Sequence, residues 1–242
     1  MPHPSPAEAK RYGKVYLVGA GPGAADLITL RGSRLLKAAD VVLYDALVTA
    51  EMLENCPQAV KISVGKRAGQ RSTAQHVINQ QIVECAEKYR CVVRLKGGDP
   101  MLFGRADEEL RALEEQGIDY EVVPGITAAM AAAASAKQPL TKRGVARSVA
   151  FFTSSTGPDL PDHVALPSTD TLVQYMGGRE AILTAARLLE KGFKPTLPVI
   201  IVESCSRPDE RVLRTTLAEL GKGLPVSSGP VLIMIGEAMM PR

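Results

Sequence analysis

The feature that most constrains this chain is an alternation. Through its first half, short apolar runs at Val15–Val18, Val41–Tyr44, Val60–Val64, Cys91–Leu95 and Tyr120–Val123 are separated by stretches with helical spacing of apolar residues. Each run is long enough for one buried strand. Strands that alternate with helices imply a parallel sheet covered on both faces. Leu30–Ala39 reads as a helix with Thr29 at its N-cap. Ser72 and Gln75 have capping-box spacing and open a helix carrying Ile78, Ile82, Cys85 and Tyr89 at helical intervals. Gly104–Gln116 reads as a third helix.

An Ala-rich helix at Thr127–Ala136 follows, and Gln138–Gly144 then breaks the pattern. Beyond the break, strands are expected at Ser148–Thr153, Leu172–Tyr175, Val199–Val202, Arg211–Thr216 and Val231–Ile235, with a helix at Arg179–Lys191 ended by Gly192. Arg211–Thr216 alternates polar and apolar residues, as a half-exposed antiparallel strand does. The expected fold class is therefore α/β with two lobes. Residues 1–11 form a tail, 12–124 a lobe with a parallel sheet, and 125–242 a lobe with a mixed sheet. The join falls at about 124–145, and Thr156–Thr169 reads as a loop.

Composition excludes several function classes. The 242 residues are 45% hydrophobic, which is ample for a core. Lys and Arg total 29 against 26 Asp and Glu, a net charge of +3 that argues against a nucleic-acid partner. None of Cys56, Cys85, Cys91 and Cys205 forms a CxxC pair, so neither a disulfide framework nor a metal site is expected. The only histidines, His3, His76 and His163, sit in no catalytic pattern. No stretch reaches the roughly 18 apolar residues of a membrane span, and the N-terminal MPHPSPAEAK lacks the apolar run of a signal peptide. The expectation is a cytoplasmic protein with no membrane partner.

In open α/β sheets, ligands bind beyond the carboxyl ends of the strands. Gly19-Ala20-Gly21-Pro22-Gly23 follows the first run, Asp45 the second, and Gly65-Lys66-Arg67 the third. Lys96-Gly97-Gly98-Asp99-Pro100 follows the fourth, and Pro124-Gly125-Ile126-Thr127 the fifth. All share one edge of the sheet and predict one site there. Gly19, Gly21 and Ala24 also fit a dinucleotide fingerprint, with Asp45 as the ribose acid. That reading needs the glycines to open a helix directly, whereas Ala24–Ile28 intervenes before Thr29. A dinucleotide-binding oxidoreductase stays open as the alternative.

These motifs, in this order, resemble the uroporphyrinogen-III C-methyltransferases of the tetrapyrrole methylase family. The similar segments are VYLVGAGPGAADLITLRG (15–32), VVLYDALV (41–48), VGKRAG (64–69), RLKGGDPMLFGR (94–105), VVPGITAA (122–129), PLTKRG (139–144), QYMGG (174–178) and PVIIVES (198–204). The resemblance implies a two-lobed enzyme, usually a homodimer, with S-adenosylmethionine held in the cleft between lobes and no metal. It implies donor contacts at Pro22, Gly97, Gly98, Asp99, Leu102, Thr127, Ala128, Met176 and Cys205. It implies Asp45 as proton acceptor and Lys66 as proton donor. The sequence departs from the family pattern at Ala24, Ala106-Asp107 and Cys205.

The implied substrate is a tetrapyrrole polycarboxylate, methylated in two successive transfers to precorrin-2. Guanidinium groups suit carboxylates because they pair in bidentate geometry. Arg105 and Arg143 are the expected substrate cations, and Tyr175 and Met176 are expected to line the macrocycle. A corrin-ring, rRNA or diphthine methyltransferase of the same fold is the nearest alternative. A product released into siroheme or cobalamin synthesis fits either end of the pathway.

Overall fold

The computed structural model describes residues 12–65, 74–154, 165–224 and 229–241. Lys66, Ser72, His3, His163, the tail at 1–11 and most of the Thr156–Thr169 loop lie outside the described residues. The chain divides into two compact units, Met1–Thr127 and Ala128–Arg242.

In the first unit, strands β1 (Lys14–Gly19), β2 (Val41–Tyr44), β3 (Val60–Ser63), β4 (Cys91–Lys96) and β5 (Tyr120–Val123) alternate with helices α1 (Leu30–Ala38), α2 (Ala50–Leu53), α3 (Gln75–Lys88) and α4 (Ala106–Glu115). The sheet is wholly parallel, in the order β3-β2-β4-β1-β5. Side chains of a strand alternate between faces. Val41 and Leu43 therefore join Leu17, Ile82 and Leu113 in one core, under α3 and α4. Val42 joins Val18, Leu36, Met52 and Leu95 in the other, under α1 and α2. Each fully buried Leu or Ile contributes about 1.5–3 kcal/mol.

Thr29 caps α1, its side chain accepting from the Gly32 amide at 3.1 Å. The short turn Ala25–Leu27 stands between the glycine segment and this helix. The expected capping box on α3 is not what opens that helix. Ala74 occupies the cap without a side-chain bond, and the Gln75 amide donates to Asn79 and Glu109 instead. β3 also differs from the buried strand expected. It pairs only with β2 at the sheet edge, so Val60 is half exposed.

The second unit holds α5 (Ala128–Ser135), β6 (Val149–Thr153), β7 (Thr171–Tyr175), α6 (Ala181–Glu190), β8 (Pro198–Glu203), β9 (Arg211–Thr216), α7 (Leu217–Leu220) and β10 (Val231–Ile235). Its sheet runs β6-β7-β10-β8-β9. β6 and β7 are parallel and the remaining pairs antiparallel, so this sheet is mixed. Alternation again splits the core. Ile200, Val202, Leu232 and Met234 pack against the small side chains of α5. Val199, Ile201, Ile233 and Ile235 pack with Ala185 and Leu188 of α6. β9 is antiparallel, as expected, but it lies at the sheet edge with Val212 and Leu213 both exposed, where a half-exposed strand would cover one face. Among the described residues, no helix is long and apolar enough to cross a membrane.

Candidate active site

The carboxyl edge of the parallel sheet is built from backbone brought unusually close. A Cβ on Gly19 would lie 2.6 Å from Gly125 Cα and 2.7 Å from the Gly98 carbonyl oxygen. A Cβ on Gly125 would lie 2.3 Å from that same oxygen. No side chain fits at either position, so the ends of β1 and β5 meet over the Gly98 carbonyl only because Gly19 and Gly125 are glycine. Gly21 and Gly98 then exchange two backbone hydrogen bonds, of 3.2 and 2.7 Å. The GAGPG segment therefore spends its glycines on joining strand ends, and it does not open a helix as a dinucleotide fingerprint requires.

Two aspartates tie this edge together. Asp45, after β2, accepts from the Leu47 amide at 2.9 Å and from the Gly97 amide at 3.0 Å, one through each carboxylate oxygen. Asp99 accepts from Met101 at 2.8 Å and from Gly125 at 2.9 Å in the same manner. The loop after β4 is thus held to the loops after β2, β1 and β5. Leu102 is placed by its amide donating to the Asp99 carbonyl. Thr127 lies beside Gly98, its Cα 3.9 Å from where a Cβ on that glycine would be. Pro22 sits between Gly21, bonded to Gly98, and Gly23, whose carbonyl accepts from the Thr49 hydroxyl at 3.3 Å.

The structure therefore brings Pro22, Gly97, Gly98, Asp99, Leu102, Thr127 and Asp45 to one edge of the first unit. Lys66 lies outside the described residues. Its neighbour Gly65 packs against the backbone of Ala46, next to Asp45. Arg105 is exposed and its guanidinium grips Glu108 through two bonds of 2.7 Å. Arg143 is exposed on the turn closed by the Lys142–Ala146 bridge.

In the second unit, Ala128, Tyr175 and Cys205 gather around the first turn of α5. The Ala129 amide donates to the Tyr175 hydroxyl at 3.1 Å, which satisfies one of the free donors of that helix end. The Tyr175 ring stands edge-on to Phe151, with centroids 6.0 Å apart. The Cys205 thiol, buried, faces the Ala128 carbonyl at 4.0 Å. Burial, with Glu210 nearby, pushes that thiol up to about 12. Met176 follows Tyr175 in a left-handed conformation (φ 56°) and is half exposed.

Left-handed non-glycine residues cluster in these motifs. Phe103, Arg105, Met176 and Ser204 lie within them, with Ser206 two residues beyond and Lys137 apart, all with φ between 50° and 60°. Such strain costs about 1–3 kcal/mol per residue and gathers at functional sites. Sequence reasoning missed a further group beneath the β4 loop. Arg94 and Lys96 are buried, and both pair with a fully buried Glu109. Two cations at strand spacing inside an apolar run were the signal.

A family model, Tetrapyrrole (Corrin/Porphyrin) Methylases, matches residues 14–221. The siroheme synthase of Tolumonas auensis is 47% identical over 229 residues, covering 93% of this chain and 49% of that protein. Siroheme synthase 2 of Yersinia pestis is 45% identical over 231 residues, covering 94% of this chain and 49% of that protein. The chain thus spans about half the length of the curated relatives it matches. Among solved structures, the uroporphyrin-III C-methyl transferase of Thermus thermophilus complexed with S-adenyl homocysteine superposes with a TM-score of 0.80 at 39% identity, covering 93% of each chain. With the strand-end motifs assembled on two such sheets, this chain belongs to the tetrapyrrole (corrin/porphyrin) methylase family.

Proposed function

We propose that this chain methylates uroporphyrinogen-III at carbon, using S-adenosylmethionine, in two successive transfers that give precorrin-2. The observation that carries the reading is the locked edge of the first sheet. Gly98 is left-handed (φ 69°), and a Cβ there would meet nothing closer than Thr127 Cα. The side-chain position of Gly98 is thus open, so a ligand can approach the backbone closely there, while the loop itself is fixed from three sides. In this reading the donor is held by Pro22, Gly97, Gly98, Asp99, Leu102 and Thr127, and Ala128, Met176 and Cys205 are its further contacts.

The donor, when bound, supplies a methyl group already activated on a sulfonium. The residues of this chain orient and move protons. Holding reactants in line removes up to about 7–11 kcal/mol of barrier in favourable cases. Asp45 keeps a lone pair on each oxygen beyond its two amide bonds, and it is the proton acceptor in this reading, with Lys66 the donor. Arg143 and Arg105 receive substrate carboxylates. For Arg105 this exchanges the carboxylate of Glu108 for one on the substrate, at little net cost for an exposed pair. Tyr175 and Met176 line the macrocycle. The reading includes a homodimer, and a cytoplasmic location consistent with four free cysteines.

Anaerobic incubation with S-adenosylmethionine and freshly generated uroporphyrinogen-III tests it by product mass. A gain of two methyl groups is expected. Unchanged mass with folded protein that still binds S-adenosylhomocysteine would move the substrate to another tetrapyrrole.

A further inference from the structure

Beneath the loop that follows β4 lies an ionic cluster that the proposed chemistry does not use. Glu109, on α4, is 1% exposed, Lys96 3% and Arg94 4%. Arg94 Nε donates to Glu109 Oε1 at 3.0 Å, and Lys96 Nζ donates to Oε2 at 2.9 Å. Arg94 also donates to the Leu95 carbonyl at 3.0 Å. Two buried cations thus share one carboxylate. Stability alone is a poor account of such a group, because well-packed apolar residues of similar volume often serve a core as well or better.

Position suggests the role. Lys96 is the last residue of β4, and the donor loop begins at Gly97. The Lys96 carbonyl accepts from the Ala20 amide at 2.7 Å, which fixes its backbone to the GAGPG segment. Its side chain runs under the loop, with Cε 3.1 Å from where a Cβ on Gly104 would be. Gly104 lies between Phe103 and Arg105, both left-handed (φ 53°). A strained turn persists only where its surroundings over-determine it, and the Lys96 stem is the floor on which this turn rests. The ammonium also feels Asp45, the carboxylate that grips the Gly97 amide. Lys96 therefore ties the carboxylate of α4 to the base of the loop.

We propose that Lys96, held in place by Glu109, is a positioning residue that sets the height and register of the loop 97–105 against its methyl donor. This rests on the reading that the loop binds that donor. Burial and the neighbouring Arg94 lower the Lys96 ammonium below the ordinary lysine value, while Glu109 opposes them, so the carboxylate is what keeps the charge in place.

Two variants test the idea, read by calorimetric binding of S-adenosylhomocysteine beside thermal melting and by donor KM against kcat. Lys96→Met leaves Arg94 and Glu109 as a one-to-one pair. Glu109→Asp keeps every charge and draws the ammonium away from the loop. Each is expected to weaken S-adenosylhomocysteine at least about tenfold, since small misplacements at a site are costly, and to raise donor KM more than it lowers kcat. The loss in Glu109→Asp must persist at temperatures well below its melting point. Wild-type affinity in Glu109→Asp, or melting lowered in both variants with affinity intact, would overturn the proposal alone. A wild-type protein that does not bind S-adenosylhomocysteine would overturn it together with the reading on which it rests.

Discussion

Asp45 spends one carboxylate oxygen on the Leu47 amide and the other on Gly97, 52 residues away. That geometry makes it a clasp for the loop after β4 as well as the proposed proton acceptor. Asparagine keeps one acceptor oxygen and turns an amide donor toward the other N–H. A fully buried donor left without its acceptor costs about 1–3 kcal/mol, and the Gly97 amide, partly buried, is the one of the two that water replaces less readily. Asp45→Asn is therefore expected to lower S-adenosylhomocysteine affinity about tenfold along with turnover; an aspartate that only accepted a proton would leave that affinity unchanged in calorimetry. Cys205 gives a second residue-scale expectation. Its thiol is pushed up to about 12 by burial and Glu210. Iodoacetamide at pH 8 should leave it unmodified in the folded protein and label it after denaturation, as peptide mass spectrometry would show. The raised value also fixes the sign of a pH effect. The stabilisation is fully present below the unfolded thiol's value of 9.0 and is lost as pH rises from there toward 12.

At the scale of elements, the ends of β1, β4 and β5 converge through glycine. A methyl group on Gly19 would sit 2.6 Å from the backbone of Gly125. Overpacking of this kind costs about 1–3 kcal/mol, and backbone cannot swing aside as a side chain can. Gly19→Ala is expected to lower the melting temperature and to weaken donor binding together, because the same contact joins the loops. Most element positions were legible in the sequence, since the apolar runs at Val41–Tyr44, Tyr120–Val123 and Val231–Ile235 coincide with strands. The start of α3 was not, because its N-cap is Ala74, whose side chain can make no capping bond, and the Gln75 side chain donates to Asn79 and Glu109. The exposure of β3 was not either, because an apolar run does not declare whether one neighbour or two will cover it.

For the whole molecule, ligand binding supplies a discriminating measurement. A ligand that binds only the folded state at about a hundred times its dissociation constant adds about 2.7 kcal/mol of stability. S-adenosylhomocysteine at that excess should raise the melting temperature, and NAD at equal concentration should not. Stabilisation by NAD alone would restore the dinucleotide reading that the separate turn at Ala25–Leu27 argues against. The family match over residues 14–221 covers the whole first sheet and every strand of the second except β10.

By itself the sequence determined the alternation of strand and helix, the two-unit α/β architecture, and the order of motifs at the strand ends. Those are local matters of hydrophobic period and residue type. Strand order was decided only in three dimensions. Central strands such as β2 and β4 are buried on both faces, so periodicity places them in a sheet without saying beside which neighbour. From the order β3-β2-β4-β1-β5 followed every partnership that shapes the site. Asp45 reaches Gly97 because β2 lies beside β4, and Asp99 reaches Gly125 because only β1, ending in glycine, separates β4 from β5. Glu109 meets Arg94 and Lys96 because α4 covers the face to which both cations point. Residue types revealed which groups could do chemistry; the packing of strands decided what each of them holds.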